Sequence, residues 1–179
     1  MHSPTSAIIW RHTLTSVEET LALGRTLACL LQGGEILALH GDLGAGKTTC
    51  IRGLAEGLGL PPAGVRSPTF SLIHHYSGKR PLVHADLYRI APQDLSHLGL
   101  WDQENETAIV AIEWADRAAQ ELPTDHLSIT LAHFGNTSRT VTIQALGPQS
   151  GAIVQQLQQR YIATDDTGNV EPIRHKDIP

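Results

Sequence analysis

The stretch Gly41-Asp42-Leu43-Gly44-Ala45-Gly46-Lys47-Thr48-Thr49 matches G-x-x-x-x-G-K-[ST] at every fixed position. Glycines at 41, 44 and 46 let the backbone turn its amides inward around phosphate oxygens, and the helix expected to follow adds the positive end of its dipole. Lys47 has the charge and reach for β- and γ-phosphates, and the Thr48 hydroxyl suits Mg²⁺. This is the chemistry of nucleotide binding. Hydrolysis at such a loop also needs an acid from a neighbouring strand to hold or orient Mg²⁺ and its waters, and a group that positions the attacking water. Glu113, at the exit of the apolar run Ala108-Ile109-Val110-Ala111-Ile112, is the first candidate. Asp86, just beyond the run Pro81-Leu82-Val83-His84, is the second.

The flanking elements have to position these groups. Ile36-Leu37-Ala38-Leu39, just before the loop, reads as a short strand buried on both faces, and Ile51, Leu54, Ala55 and Leu58 recur after it at helical spacing. Ligands of open α/β sheets sit beyond the carboxyl ends of the strands, so a strand ending on Glu113 faces the same crevice as the loop. Upstream, Ala7-Ile8-Ile9-Trp10 predicts a first strand at an edge, and Thr15 or Ser16 opens a helix, Ser16 and Glu19 fitting a capping box. That helix carries a stripe of Val17, Leu21, Gly24, Ala28 and Leu31, widened by Leu23, Leu27 and Leu30, and Gly33-Gly34 end it.

Downstream, Gly57 to Gly64 reads as a loop. Thr69-Phe70-Ser71-Leu72-Ile73 and Pro81-Leu82-Val83-His84 predict a hairpin-like strand pair, and a short helix follows from Pro92 with Leu95 and Leu98 as its apolar side. Leu127, Ile129 and Leu131, then Val141, Ile143 and Ala145, alternate as an antiparallel hairpin about Gly135-Asn136. A closing helix is expected over 152–161. The expected fold is α/β, a P-loop NTPase-like three-layer sandwich whose central sheet is mostly parallel with antiparallel hairpin additions. One domain spans 1–161, and 162–179 is expected to be a loose tail.

Composition narrows the function classes. A chain of 179 residues, 41% hydrophobic and 17% charged, is that of an ordinary globular domain. The formal net charge of −5 argues against gripping nucleic acid through a broad basic face, so contact with a nucleic acid requires a partner. No apolar run reaches membrane-span length, and the start of the chain lacks a secretory pattern, so the expectation is a cytoplasmic protein with no membrane partner. Cys29 and Cys50 fall in predicted helices without metal-like spacing and read as buried, reduced thiols. The ten histidines, His74, His75 and His84 among them, show no metal-ligand pattern.

The phosphate loop, Ser67-Pro68-Thr69-Phe70, His84-x-Asp86-Leu87-Tyr88-Arg89 and Ile112-Glu113-Trp114, taken in order, resemble the bacterial TsaE family, also called YjeE. The resemblance runs at motif level from about Thr15 to Arg117. It implies a small ATPase that takes ATP and Mg²⁺ and acts with TsaD and TsaB in the threonylcarbamoyl modification of adenosine next to the tRNA anticodon, meeting tRNA only through that complex. ATP hydrolysis then drives or resets the synthase rather than performing the transfer. Carried over by position, the resemblance implies that Asp42 to Thr49 bind the phosphates and that Thr48 and Glu113 are associated with Mg²⁺. The Ser67 to Phe70 segment is similar to a switch-like loop in which the Thr69 hydroxyl senses the γ-phosphate. Asp86 is similar to the acid needed for hydrolysis, and the resemblance further implies that Tyr88 and Arg89 shape the partner-facing surface, that Trp114 lies beside the nucleotide, and that Ser16 and Val17 form the base-contacting turn. The chain has Ala115 where family members often have proline.

Two other classes share the loop. A small-molecule kinase calls for an arginine-rich lid over the transferring phosphoryl group, whereas the arginines here are scattered. A docking module would use ATP as a structural ligand with negligible turnover. A GTP-dependent switch carries an N-K-x-D-type guanine reader, absent here, which favours adenine.

Overall fold

The two fully apolar runs become neighbours at the centre of one sheet. In the computed structural model, which describes residues 8–61, 64–68, 71–102, 107–135 and 137–165, β2 (Ile36–His40) and β5 (Ile109–Glu113) pair in parallel, with Leu39 opposite Glu113. The other strands are β1 (Ile9–Leu14), β3 (Ile73–Tyr76), β4 (Leu82–Asp86), β6 (Leu127–Phe134) and β7 (Ser138–Ala145). The seven strands take the order β1-β7-β6-β2-β5-β4-β3. The parallel centre β4-β5-β2-β6 is flanked by antiparallel β3 on one side and by β7 and then β1 on the other. The mixed α/β fold of the sequence reading is the fold found, with the first strand at an edge.

Helices α1 (Val17–Leu30), α2 (Lys47–Gly57) and α3 (Pro148–Asp165) share one core with Leu37, Leu39, Leu82, Ile109 and Ala111 of the sheet. Alternate residues of the same strands, Ala38, Val83, Ala85, Val110 and Ile112, face a second core. That second core is closed by Leu87, Ile90, Leu95 and Leu100 around 3₁₀ segments Pro92–Leu98 and Ala115–Ala118 rather than by α-helices. The short helix expected from Pro92 is thus a 3₁₀ segment, capped by Gly99 in the left-handed conformation.

Helix α1 starts as its sequence dictates: Ser16 is extended, and its Oγ accepts from the Glu19 amide at 3.1 Å. The reciprocal half of the box is displaced by one residue, because the Glu19 carboxylate accepts from the Thr15 amide and hydroxyl at 2.6 and 2.7 Å. Those bonds hold its pKa below the ordinary glutamate value, the Thr15 amide contributing most. The buried face of α1 runs through Thr20, Leu23, Gly24, Leu27 and Ala28, while Val17, placed on the apolar stripe by sequence, is 56% exposed. Glycines set how close α1 and α2 lie. A Cβ on Gly24 would sit 2.2 Å from the Cys50 carbonyl oxygen, and one on Gly53 would sit 2.1 Å from the Leu21 carbonyl oxygen.

Several boundaries differ from expectation. Strand β1 runs on to Leu14 instead of ending at Trp10, and Ala7 lies outside the described residues. Strand β3 starts at Ile73 because Leu72 adopts a left-handed φ of 65°, which no strand can continue through. Thr69, Phe70 and Asn136 lie outside the described residues, as does 166–179. Helix α3 begins at Pro148 and runs to Asp165, longer than expected at both ends, with Asp125 accepting from the Gln149 and Ser150 amides of its first turn. Both cysteines are free thiols in helices, Cys50 buried and Cys29 only half-buried. Among the described residues no helix is long and apolar enough to cross a membrane.

Candidate functional site

The loop that follows β2 is built to receive an anion. Gly41, Gly44 and Gly46 take φ values of 132°, 79° and 109°, and a Cβ at Gly41 would fall 2.1 Å from the Leu131 carbonyl oxygen, so the loop lies against β6. Gly46 caps α2 without any side chain accepting from its first turn, and that turn holds no acidic residue. The α2 amides and dipole therefore open toward the loop. Asp42, Leu43 and Gly44 form its exposed rim; Ala45 is buried, and Thr48 and Thr49 are half-buried in the first turn of α2.

Lys47, only 4% exposed, donates from Nζ to the carbonyls of Gly41 at 2.6 Å and Asp42 at 2.9 Å. The same ammonium lies 4.0 Å from the centroid of the Trp114 indole, within cation–π range. Trp114 is there because its own φ of 57° turns the chain sharply out of β5 into the 115–118 segment. Its ring packs on Tyr88, with centroids 4.8 Å apart. Burial lowers the Lys47 pKa below the ordinary lysine value, against the opposing pull of Glu113, Asp86, Asp42 and Asp116.

Glu113 and Asp86 are register partners on adjacent parallel strands, so both carboxylates leave the sheet on one face at the carboxyl ends of β4 and β5. Each is 3% exposed. Glu113 Oε1 accepts from the Thr48 hydroxyl at 2.8 Å, a contact that ties the α2 N-terminus to the strand exit. The same oxygen lies 2.9 Å from His84 Nε2. Asp86 Oδ2 accepts from the Ser67 hydroxyl, and Oδ1 accepts from the Tyr88 amide at 2.9 Å. The acid thereby anchors the segment that leads to Thr69, itself outside the described residues.

The loop, Lys47, Thr48, Glu113 and Trp114 are thus one cluster, with Asp86 and Ser67 beside it. Ser16 is linked toward it through a residue the sequence reading did not single out, while Val17, next in the chain, has an exposed side chain. Arg139 of β7, 8% exposed, donates to Thr20 Oγ1 at 2.8 Å and to the Ser16 carbonyl at 3.5 Å. Its Cδ lies 3.5 Å from where a Cβ on Gly46 would be. Arg139 is one step of the alternation below Val141, Ile143 and Ala145, so the period-2 pattern extended by one residue places it on the inward face. His84, named in the sequence reading but given no role there, shares a strand face with Asp86 through the same two-residue spacing.

Among the described residues no three His, Cys, Asp or Glu side chains are grouped to cage a metal. A hydroxyl and one carboxylate at a phosphate cradle fit Mg²⁺, which ordinarily takes few protein ligands and fills its shell with phosphate oxygens and water. They do not fit an all-protein metal cage.

Residues 14–141 match the family model described as "Threonylcarbamoyl adenosine biosynthesis protein TsaE". A Bacillus subtilis (strain 168) protein named tRNA threonylcarbamoyladenosine biosynthesis protein TsaE is 36% identical over 151 residues, covering 84% of this chain and 93% of that one. A Nostoc protein of the same name is 42% identical over 135 residues, covering 73% and 82% respectively. Among solved structures, that of Bacillus subtilis YdiB superposes with a TM-score of 0.73 at 31% identity, covering 87% of this chain and 97% of that one.

Proposed function

The chain belongs to the TsaE family, whose role lies in tRNA threonylcarbamoyladenosine biosynthesis, and on that premise we propose that it is a Mg²⁺-dependent ATPase working with TsaD and TsaB. In this reading it drives or resets the synthase between turnovers and reaches tRNA only through the complex. The observation that carries the ATPase reading is the Thr48–Glu113 bond at the foot of the phosphate loop, with Asp86 one strand away.

In this account the loop amides from Asp42 to Thr49 hold the β- and γ-phosphates, and Lys47 exchanges its two loop carbonyls for phosphate oxygens. Thr48 and Glu113 would hold Mg²⁺, which would supply charge neutralisation at the phosphates when bound. Asp86, which accepts from the Ser67 hydroxyl and the Tyr88 amide, orients the attacking water, and Thr69 senses the γ-phosphate. Trp114 covers the nucleotide, and the Ser16-Val17 turn, whose Ser16 carbonyl accepts from Arg139, receives the adenine. A lysine held by its own loop and an indole supports weak turnover by the chain alone, raised when the partners complete the site.

The test is Glu113→Ala. Calorimetry is expected to find nucleotide affinity in the absence of Mg²⁺ close to that of the natural chain, while Mg²⁺-dependent turnover falls by about 100-fold or more, the scale of losing one preorganised electrostatic group. Normal turnover in this variant would make the carboxylate a structural tie between α2 and β5.

A further inference from the structure

His84 is fully buried, and of its two ring nitrogens one meets a carboxylate while the other has no hydrogen-bond partner among the described residues. It sits in β4 opposite Ala111 of β5, a small neighbour, and two residues before Asp86 on the same strand face. Only Nε2 is used, at 2.9 Å from Glu113 Oε1, the oxygen that also accepts from Thr48. A carboxylate can only accept, so the ring proton is on Nε2. A polar ring with Nδ1 unpaired inside a core otherwise made by Leu82, Ile109 and Ala111 is costly, and leucine would fill that space without the cost.

We infer that His84 is a positioning residue for the Glu113 carboxylate: its Nε2–H fixes the Oε1 rotamer that faces Thr48 and so sets the affinity of the Thr48–Glu113 pair for Mg²⁺. This rests on the reading of that pair as the Mg²⁺ ligands. Supporting hydrogen bonds to a metal-binding carboxylate orient it and tune its affinity, and their loss typically costs about 10–100-fold in metal affinity.

The experiment measures, by calorimetry, how much Mg²⁺ tightens binding of a non-hydrolysable ATP analogue to the natural chain and to His84→Leu, His84→Gln and His84→Asn, each first checked for folding by circular dichroism. The apparent Mg²⁺ affinity is expected to fall about 10–100-fold in His84→Leu, with analogue binding in chelator unchanged. Gln places an amide N–H near the Nε2 position and is expected to recover most of the loss; Asn reaches only the Nδ1 position and is not. Equal Mg²⁺ affinity in folded His84→Leu, or Asn restoring as well as Gln, overturns the inference. Should the Leu variant not fold, the contrast between Gln and Asn decides the matter. Nitrogen-15 spectra of the natural chain give an independent readout: the inference requires the Nε2–H tautomer, and a bare Nε2 contradicts it. If Mg²⁺ does not tighten analogue binding even in the natural chain, the ATPase reading itself falls; if it does so equally in natural and Leu chains, only the role of His84 falls.

Discussion

Replacing Gly24 with alanine tests whether the packing of α1 on α2 positions the nucleotide loop. The added Cβ would lie 2.2 Å from the Cys50 carbonyl oxygen, 2.6 Å from the Leu54 nitrogen and 2.8 Å from the Gly53 carbonyl carbon. All three are backbone atoms of one helix, so no side chain can rotate away. Relief to an ordinary contact of about 3.4 Å requires the helices to part by about 1 Å. Two effects compete. Alanine in place of a helical glycine gains about 1 kcal/mol in propensity, whereas overpacking that moves backbone costs about 1–3 kcal/mol and sometimes more. Three simultaneous backbone clashes place this site at the upper end, for a net loss of about 2 kcal/mol. For a domain of this size that is a fall of about 4–8 °C in Tm, read by circular dichroism. Because α2 opens with Lys47 and Thr48 while Glu113 is fixed in β5, parting the helices is also expected to stretch the Thr48–Glu113 contact and weaken Mg²⁺-dependent nucleotide binding. A Tm equal to or above that of the natural chain would refute the reasoning, since propensity would then have won over packing.

Two further outcomes follow from the same geometry. Lys47→Ala removes the cation that the proposal assigns to the β- and γ-phosphates and is expected to weaken ATP binding by about 10-fold or more in calorimetry, the loss for one charge-assisted contact; unchanged affinity would refute the cradle. Burial, aided by the nearby Glu113 charge, pushes the Cys50 thiol up to about 12, whereas Cys29 is half-buried. A thiol raised in the fold contributes stability that is complete below its unfolded value near 9 and is lost as pH rises toward about 12. Native protein at pH 8 is therefore expected to release one equivalent of thiol to an aromatic disulfide reagent, from Cys29. Denaturation should release both, and rapid native reaction of Cys50 would show that α1 and α2 open.

What the sequence made legible was local. The strand-loop-helix unit around Lys47 could be read because fixed glycine spacing and an apolar run of strand length leave few alternatives. The exit position of Glu113 followed from the abrupt end of another such run. The hairpin of β6 and β7 followed from strict alternation, confirmed by burial of Leu127, Ile129, Leu131, Val141, Ile143 and Ala145. Strand order was less accessible, because nothing in the apolar runs says that β2 lies between β5 and β6. Val17 misled the helical stripe because periodicity cannot tell an apolar residue turned to the surface at a helix start from one turned to the core. Arg139 was overlooked, and His84 was named without a role, for a different reason. Each is a polar residue at an inward strand position, where propensity reads an interruption and only the tertiary neighbour reveals a partner, Thr20 of α1 for Arg139 and Glu113 of the adjacent strand for His84.

The central claim is that Lys47, Thr48, Asp86 and Glu113 form an ATPase site completed by partners. The most direct measurement is phosphate release from ATP with and without Mg²⁺, by the purified chain alone and after addition of a bacterial TsaD–TsaB pair, the proposed partners. The account predicts slow Mg²⁺-dependent release by the chain alone and strong stimulation by the pair, abolished by Glu113→Ala. Absence of Mg²⁺-dependent release in both conditions would contradict it, as would transfer of the phosphoryl group to a small acceptor in place of water.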